Sequence, residues 1–300
     1  MAISKLEQMF DELKGRESKR LVVANANDSH TIEAVNKAVE LDLIKGILVG
    51  DENEIAKVCN NEKIDIKKFK IVHVVDEQKA SDKAVEIIAN GEADLLMKGL
   101  VSTDVYMRSI LKKEYNFLPK GSVLSHITVM QNPNYHKLLI VGDVAIIPLP
   151  ELKEKIAITN YLIETALALG IKNPKVAAIA ASEKVSPKMP ASVDASLLSK
   201  MAERGQIKNA VVEGPIGFDV AIDKESADIK NIKSEVAGNA DCILFPNIES
   251  GNVFYKTNTK LANAELAAIV LGAKAPAILS SRGDNVKTKL YSIALGALLA

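Results

Sequence analysis

The chain has 300 residues, 48% apolar and 25% charged, which is enough for a large core and favours two domains over one. Its 38 basic and 38 acidic side chains balance, so no net field recruits nucleic acid or an anionic membrane, and any anion site must be local. Cys59 and Cys242 form no CxxC pair, which excludes a disulfide-stapled scaffold and fits two inert thiols in a reducing compartment.

Met1-Ala2-Ile3-Ser4-Lys5-Leu6-Glu7 lacks the apolar run of a signal peptide, and no segment approaches the roughly 20 apolar residues of a membrane span. The expectation is a cytoplasmic chain. Short apolar runs then alternate with helical periods, the signature of parallel sheets covered by helices. Strands are expected over 20–24, 46–50, 70–75, 93–97, 122–130 and 138–141, with helices over 29–41 and 79–89 between them. After Pro148-Leu149-Pro150 a helix is expected over 151–169, stopped by Gly170. The alternation resumes with strands over 175–181, 209–212, 241–245 and 276–279, and helices over 193–204, 262–271 and 286–299. The Pro-Leu-Pro turn is read as the domain boundary, a kinked loop within one sheet being the alternative.

Four strand ends carry residues suited to anions. Met97-Lys98-Gly99-Leu100-Val101-Ser102-Thr103 runs off a strand, through glycine, into a helix start. Free N–H groups there, with Lys98 and two hydroxyls, suit a phosphate or nucleotide tail. Arg108, one to two turns further, could point back to the same place. The plain alternative is that Ser102 or Thr103 only caps the helix. Ser280-Ser281-Arg282-Gly283-Asp284-Asn285 follows the last strand, where Arg282 offers a planar fork for phosphate oxygens and Asp284 could orient it or accept a proton; a surface turn with a salt-bridged arginine is the alternative. Glu249-Ser250-Gly251-Asn252-Val253-Phe254-Tyr255-Lys256 and Glu213-Gly214-Pro215-Ile216-Gly217-Phe218-Asp219 also sit at strand-to-helix junctions.

The absences discriminate too. There is no GxGxxG after the first strand, no GxxxxGK[ST] and no GxSxG. His30, His73, His126 and His136 are scattered without HExxH, so no metal site is expected; His126 is the one placed to matter.

Taken in order, these segments resemble the phosphate acetyltransferase and phosphate butyryltransferase family. The matching stretches are Met97-Lys98-Gly99 with Ser102-Thr103 and Arg108, Glu213-Gly214-Pro215 with Phe218-Asp219, Ser234-Glu235-Val236-Ala237-Gly238, Phe245-Pro246-Asn247 with Glu249-Ser250-Gly251-Asn252 and Tyr255-Lys256, and Ser281-Arg282-Gly283-Asp284. The compact length and Thr288-Lys289-Leu290 leading into Ser292-Ile293-Ala294-Leu295-Gly296-Ala297 look more like the butyryltransferase branch. The resemblance implies an α/β fold of two α/β/α domains with mostly parallel sheets and an interdomain cleft, akin to isocitrate and isopropylmalate dehydrogenases. The chain would return to the first domain at its end, giving residues 1–147 with 274–300, and 148–273. It implies homodimers or assemblies of dimers, coenzyme A as substrate with no bound cofactor or metal, and reversible conversion of butyryl-CoA and phosphate to butyryl phosphate and CoA. Arg282 would hold phosphate, Ser281 would bond the tetrahedral centre, and Lys98, Gly99, Ser102, Thr103, Arg108, Asn252, Tyr255 and Lys256 would contact phosphate or CoA.

The acetyltransferase branch carries an aspartate seven residues after the serine, where this chain has Thr288. Asp284 is the expected substitute base, with Asp143 the other possibility. Acetyl-CoA is the alternative substrate. An NAD(P)-dependent dehydrogenase or a catalytically silent binding module are the alternatives of another class.

Overall fold

The computed structural model describes residues 2–279 and 284–300. In chain order its elements are α1 (Gln8–Leu13), β1 (Lys19–Ala24), α2 (Ser29–Glu40), β2 (Ile44–Gly50), α3 (Glu52–Asn61), β3 (Phe69–His73), α4 (Glu77–Ala89), β4 (Leu95–Lys98), α5 (Thr103–Leu111), β5 (Ser125–Gln131) and β6 (Leu139–Gly142). There follow α6 (Leu152–Ala168), β7 (Lys175–Ile179), α7 (Pro190–Glu203), β8 (Val211–Ile216), α8 (Phe218–Ile222), α9 (Lys224–Ile229), β9 (Cys242–Leu244), α10 (Ile248–Leu261), β10 (Glu265–Leu271), β11 (Ala277–Ile278) and α11 (Val286–Leu299).

One local device recurs. A strand ends, and a short polar side chain accepts a backbone N–H of the next helix: Asp28 for α2, Asp51 for α3, Asp76 for α4, Ser102 for α5, Asn247 for α10 and Asn285 for α11. Each such cap stabilises its helix by about 1 kcal/mol. Tertiary burial does more. Ile32, Val35 and Ala38 of α2 are fully buried, each large side chain there contributing about 1.5–3 kcal/mol.

The chain forms two compact units. The N-terminal unit, Glu7–Ser122 with Ala267–Ala300, has strand order β3-β2-β1-β4-β11-β10, parallel except for the antiparallel pair β11/β10. The central unit, Val123–Leu266 with the residues leading to Leu6, has order β5-β6-β9-β7-β8, antiparallel only at β5/β6. Helices cover these mostly parallel strands, which is the expected α/β class. The units divide at Ser122/Val123 and Leu266/Ala267, whereas the sequence placed the boundaries at 147/148 and 273/274. Pairing explains the difference: β6 lies parallel to β9, so the residues before the proline turn belong to the central sheet.

The helix expected over 262–271 is instead strand β10. A short, fully buried apolar run carries no periodicity to separate helix from strand. Asn263, with φ of 52°, sits in the left-handed region and breaks the chain after α10, while Ile269 and Val270 suit a strand.

Both cysteines are buried. Burial pushes the Cys59 thiol up; burial, reinforced by Asp241, raises Cys242 well above the ordinary range. A thiol reagent should therefore find no fast-reacting protein thiol under native conditions and two after denaturation. Rapid native labelling would contradict this packing.

Candidate active site

In the N-terminal unit the strand order reverses between β1 and β4, with β2 and β3 on one side and β11 on the other. Ligands of open parallel sheets bind outside the carboxyl ends at such a reversal. Three chain exits meet there. After β1 comes Asn25-Ala26-Asn27-Asp28, after β4 comes Lys98-Gly99, and β11 pairs Ile278 with Met97, so Leu279 leaves the sheet beside Lys98.

The Lys98 loop is built from inside. Lys98 is 3% exposed, and its ammonium donates to the carbonyls of Val101 (2.9 Å) and Gly99 (3.3 Å). A Cβ on Gly99 would lie 2.4 Å from the Asn25 carbonyl oxygen, so glycine is required there by the neighbouring backbone. Asn25, held at φ 56°, donates from Nδ2 to the Leu100 carbonyl, and Asn27 Nδ2 donates to Asn25 Oδ1 at 2.9 Å. Ser102 is the cap of α5, its Oγ accepting Val105 N–H, while its own N–H donates to Glu77 Oε1 at 2.8 Å. The helix start is thus partly satisfied by protein groups, as the plainer sequence reading had it. Thr103 is exposed. Arg108 is exposed in the last turn of α5 and forms no ion pair or hydrogen bond among the described residues.

Ser281 and Arg282 lie outside the described residues. On either side of them the framework is firm. Buried Tyr106 donates to the Ile278 carbonyl at 3.3 Å, and Asn285 caps α11 through Thr288 N–H at 2.8 Å. Asp284 is partly buried just before that cap. Lys289, 3% exposed on α11, has its ammonium pKa lowered by burial, against the opposing fields of Asp28 and Asp284. Sequence reasoning named neither Lys289 nor the Asn25–Asp28 turn as site residues. The Asn-Ala-Asn-Asp cluster directly after a buried strand was a usable signal; the burial of Lys289 was not.

In the central unit, Asn252, Tyr255 and Lys256 lie on α10. Asn252 Nδ2 donates to the Val144 carbonyl at 3.0 Å, and a Cβ on Gly251 would lie 2.3 Å from the Asp143 carbonyl oxygen. These two residues seat α10 against the 143–144 backbone. The Tyr255 ring meets His126 edge-on at 6.5 Å, and exposed Lys256 places its ammonium 5.2 Å from the Tyr255 ring centre. Asp143 is 2% exposed and accepts four hydrogen bonds, from Ala145 N (2.7 Å), Ile146 N (2.8 Å), Ser125 Oγ (3.0 Å) and His126 N (3.1 Å). That environment makes it a structural acceptor. Among the described residues no group of three or more His, Cys, Asp or Glu could hold a metal ion, and no helix is long and apolar enough to cross a membrane.

The family model described as phosphate acetyl/butaryl transferase matches residues 4–88 and 76–297. The chain is 45% identical to a phosphate butyryltransferase of Clostridium acetobutylicum, over 99% of each chain. It is 39% identical to a phosphate acetyltransferase of Thermotoga maritima, over 98% of this chain and 99% of that one. Among solved structures, a branched-chain phosphotransacylase from Enterococcus faecalis V583 matches with a TM-score of 0.81 at 28% identity, covering 94% of this chain and 98% of that one. The chain belongs to the phosphate acetyl/butyryl transferase family.

Proposed function

We propose that the protein catalyses reversible transfer of a short acyl group, butyryl in preference to acetyl, between coenzyme A and inorganic phosphate. The observation that carries this reading is that the Lys98–Thr103 segment, which bears family motif residues, leaves β4 beside the ends of β1 and β11 at one strand reversal. In the forward direction a phosphate oxygen adds to the thioester carbonyl, the tetrahedral centre collapses, the C–S bond breaks and CoA leaves as thiolate. In reverse the thiol, ordinarily protonated near neutral pH, must first lose its proton.

Arg282 pairs with phosphate, Ser281 hydrogen-bonds the developing oxyanion, and Asp284 exchanges the thiol proton; the roles of Ser281 and Arg282 rest on the family motif. Lys98 and Gly99 shape the loop beneath the phosphate, with Ser102, Thr103 and Arg108 on its α5 side. Tyr255 and Lys256 are assigned to the CoA side, while Asn252 holds α10 on the Val144 carbonyl. The chemistry needs no resident cofactor, CoA entering as substrate. Two inert thiols fit a cytoplasmic setting, and a homodimer or assembly of dimers is the assembly to test. Acetyl transfer remains the second reading, because the Thermotoga relative bears that name.

The test mixes purified protein with butyryl-CoA and phosphate and follows free thiol, with acetyl-CoA and Arg282→Ala as comparisons. Phosphate-dependent release, faster with butyryl-CoA and reduced by about 100-fold or more in Arg282→Ala, is the expected result. No release with any short acyl-CoA would end the reading.

A further inference from the structure

The central unit has a strand reversal of its own, between β7 and β9, with β8 beyond β7 and β6 beyond β9. A cavity of about 590 Å³ opens at the carboxyl ends of β7, β8 and β9 and is closed on one side by α10. Its volume lies within the roughly 300–1,000 Å³ of sites that enclose a drug-sized ligand.

Three of the chain's six phenylalanines converge on it. Phe218 and Phe254 meet at 5.0 Å between ring centres, Phe245 and Phe254 at 5.2 Å. In a chain with 4% aromatic residues this concentration stands out, and it serves more than the core: Phe245 is buried, but Phe218 and Phe254 are only half-buried and turn surface toward the cavity. Such walls favour an apolar or weakly polar guest.

The rim decides which guest. Its one lysine, Lys230, sits 3.0 Å from both Glu183 and Asp219. Lys230 holds the Asp219 carboxylate below the usual range. Burial works against the Glu183 carboxylate, but hydrogen bonds from Lys230 and from backbone N–H groups, Gly217 among them, outweigh it and hold Glu183 low as well. One ammonium thus faces two carboxylates. A phosphate entering here would meet net negative charge and no uncommitted cation, whereas an uncharged group meets no such cost.

We propose that this cavity binds the uncharged arm of the acyl-CoA substrate, the pantetheine chain with its thioester-linked acyl group, and leaves the phosphates of CoA outside. The proposal rests on the transfer reaction proposed above and assigns the apolar part of that substrate to the Phe218-Phe245-Phe254 wall. It also gives a purpose to the Gly217-Phe218-Asp219 and Phe245-Pro246 motif stretches, which line the cavity.

Ala181 lines the cavity from an exposed position, so Ala181→Trp fills the opening without entering the core. Phe254→Ala is the second variant, with thermal melting to show that it folds. Kinetics with butyryl-CoA and with S-butyrylpantetheine, which lacks the nucleotide, are compared with inhibition by adenosine 3′,5′-bisphosphate. Both variants should raise KM for the two acyl substrates in parallel, by about 10-fold or more, with KM for phosphate and inhibition by the bisphosphate within about 2-fold of wild type. Weakened bisphosphate inhibition with unaltered S-butyrylpantetheine kinetics would place the nucleotide here and overturn the proposal. Unchanged kinetics would overturn it too, as would a shift only in size-exclusion elution, which would assign the cavity to contact between copies of the chain. Calorimetric titration of S-butyrylpantetheine into wild type and Ala181→Trp reads the cavity independently of turnover. Binding lost in the variant while wild type transfers nothing to phosphate would sink the proposed reaction and leave the cavity assignment standing.

Discussion

Asp284→Asn should lower turnover by about 100-fold or more while leaving CoA affinity nearly unchanged, the size and pattern expected when a general base is removed without loss of shape. The aspartate that the acetyltransferase branch carries seven residues after the serine is missing from this chain. Its position is held by Thr288, whose N–H binds the cap residue Asn285 and whose carbonyl accepts from Ser292 Oγ, so the residue belongs to the first turns of α11. Asp284 is the nearest carboxylate along the chain to the Ser281-Arg282 pair. It stands directly before the cap, partly buried, in the field of the buried Lys289 ammonium. The lysine gives it a fixed electrostatic counterpart, and the asparagine keeps the volume while removing both the proton-accepting oxygen and that attraction. Steady-state rates in the acyl phosphate plus CoA direction, with KM for CoA, are the measurement. Turnover within about 2-fold of wild type would remove Asp284 from the chemistry.

Much of this arrangement was legible in the sequence, for identifiable reasons. Strand ends such as Met97-Lys98-Gly99 and helix starts such as Ser102 and Asn285 are written in local chemistry, glycine at close approach and short polar caps, which needs no partner to be read. What depends on a distant partner was not. Glu77 reaches the Ser102 N–H from 25 residues away, and Gly99 proves necessary because of the Asn25 carbonyl. Gly251-Asn252 has the appearance of backbone offered to a ligand, yet the structure uses both residues to seat α10 on the Asp143–Val144 backbone. Strand β10 was unreadable for a different reason: an apolar run buried on both faces gives the same pattern as a buried helix.

Asp143→Ala should destabilise the protein by about 4 kcal/mol, since four donors lose their acceptor, two of them fully buried, and each buried unsatisfied group costs about 1–3 kcal/mol before local relaxation. The donors are the N–H groups of His126, Ala145 and Ile146 and the Ser125 hydroxyl; between them they tie β5 to the turn that follows β6. Asp143→Asn keeps one acceptor oxygen and should recover part of the loss. Gly251→Ala offers an independent probe of the same corner, because its Cβ would lie 2.3 Å from the Asp143 carbonyl oxygen, closer than real Cβ contacts allow. Chemical denaturation midpoints measure all three. Their kinetics also arbitrate between the two carboxylates considered as base. If Asp143 only holds structure, folded Asp143→Asn keeps most of its turnover while Asp284→Asn does not. The reverse pattern, full stability in Asp143→Ala with turnover lost in Asp143→Asn, would move proton transfer to the central unit and return Asp284 to the role of a turn residue.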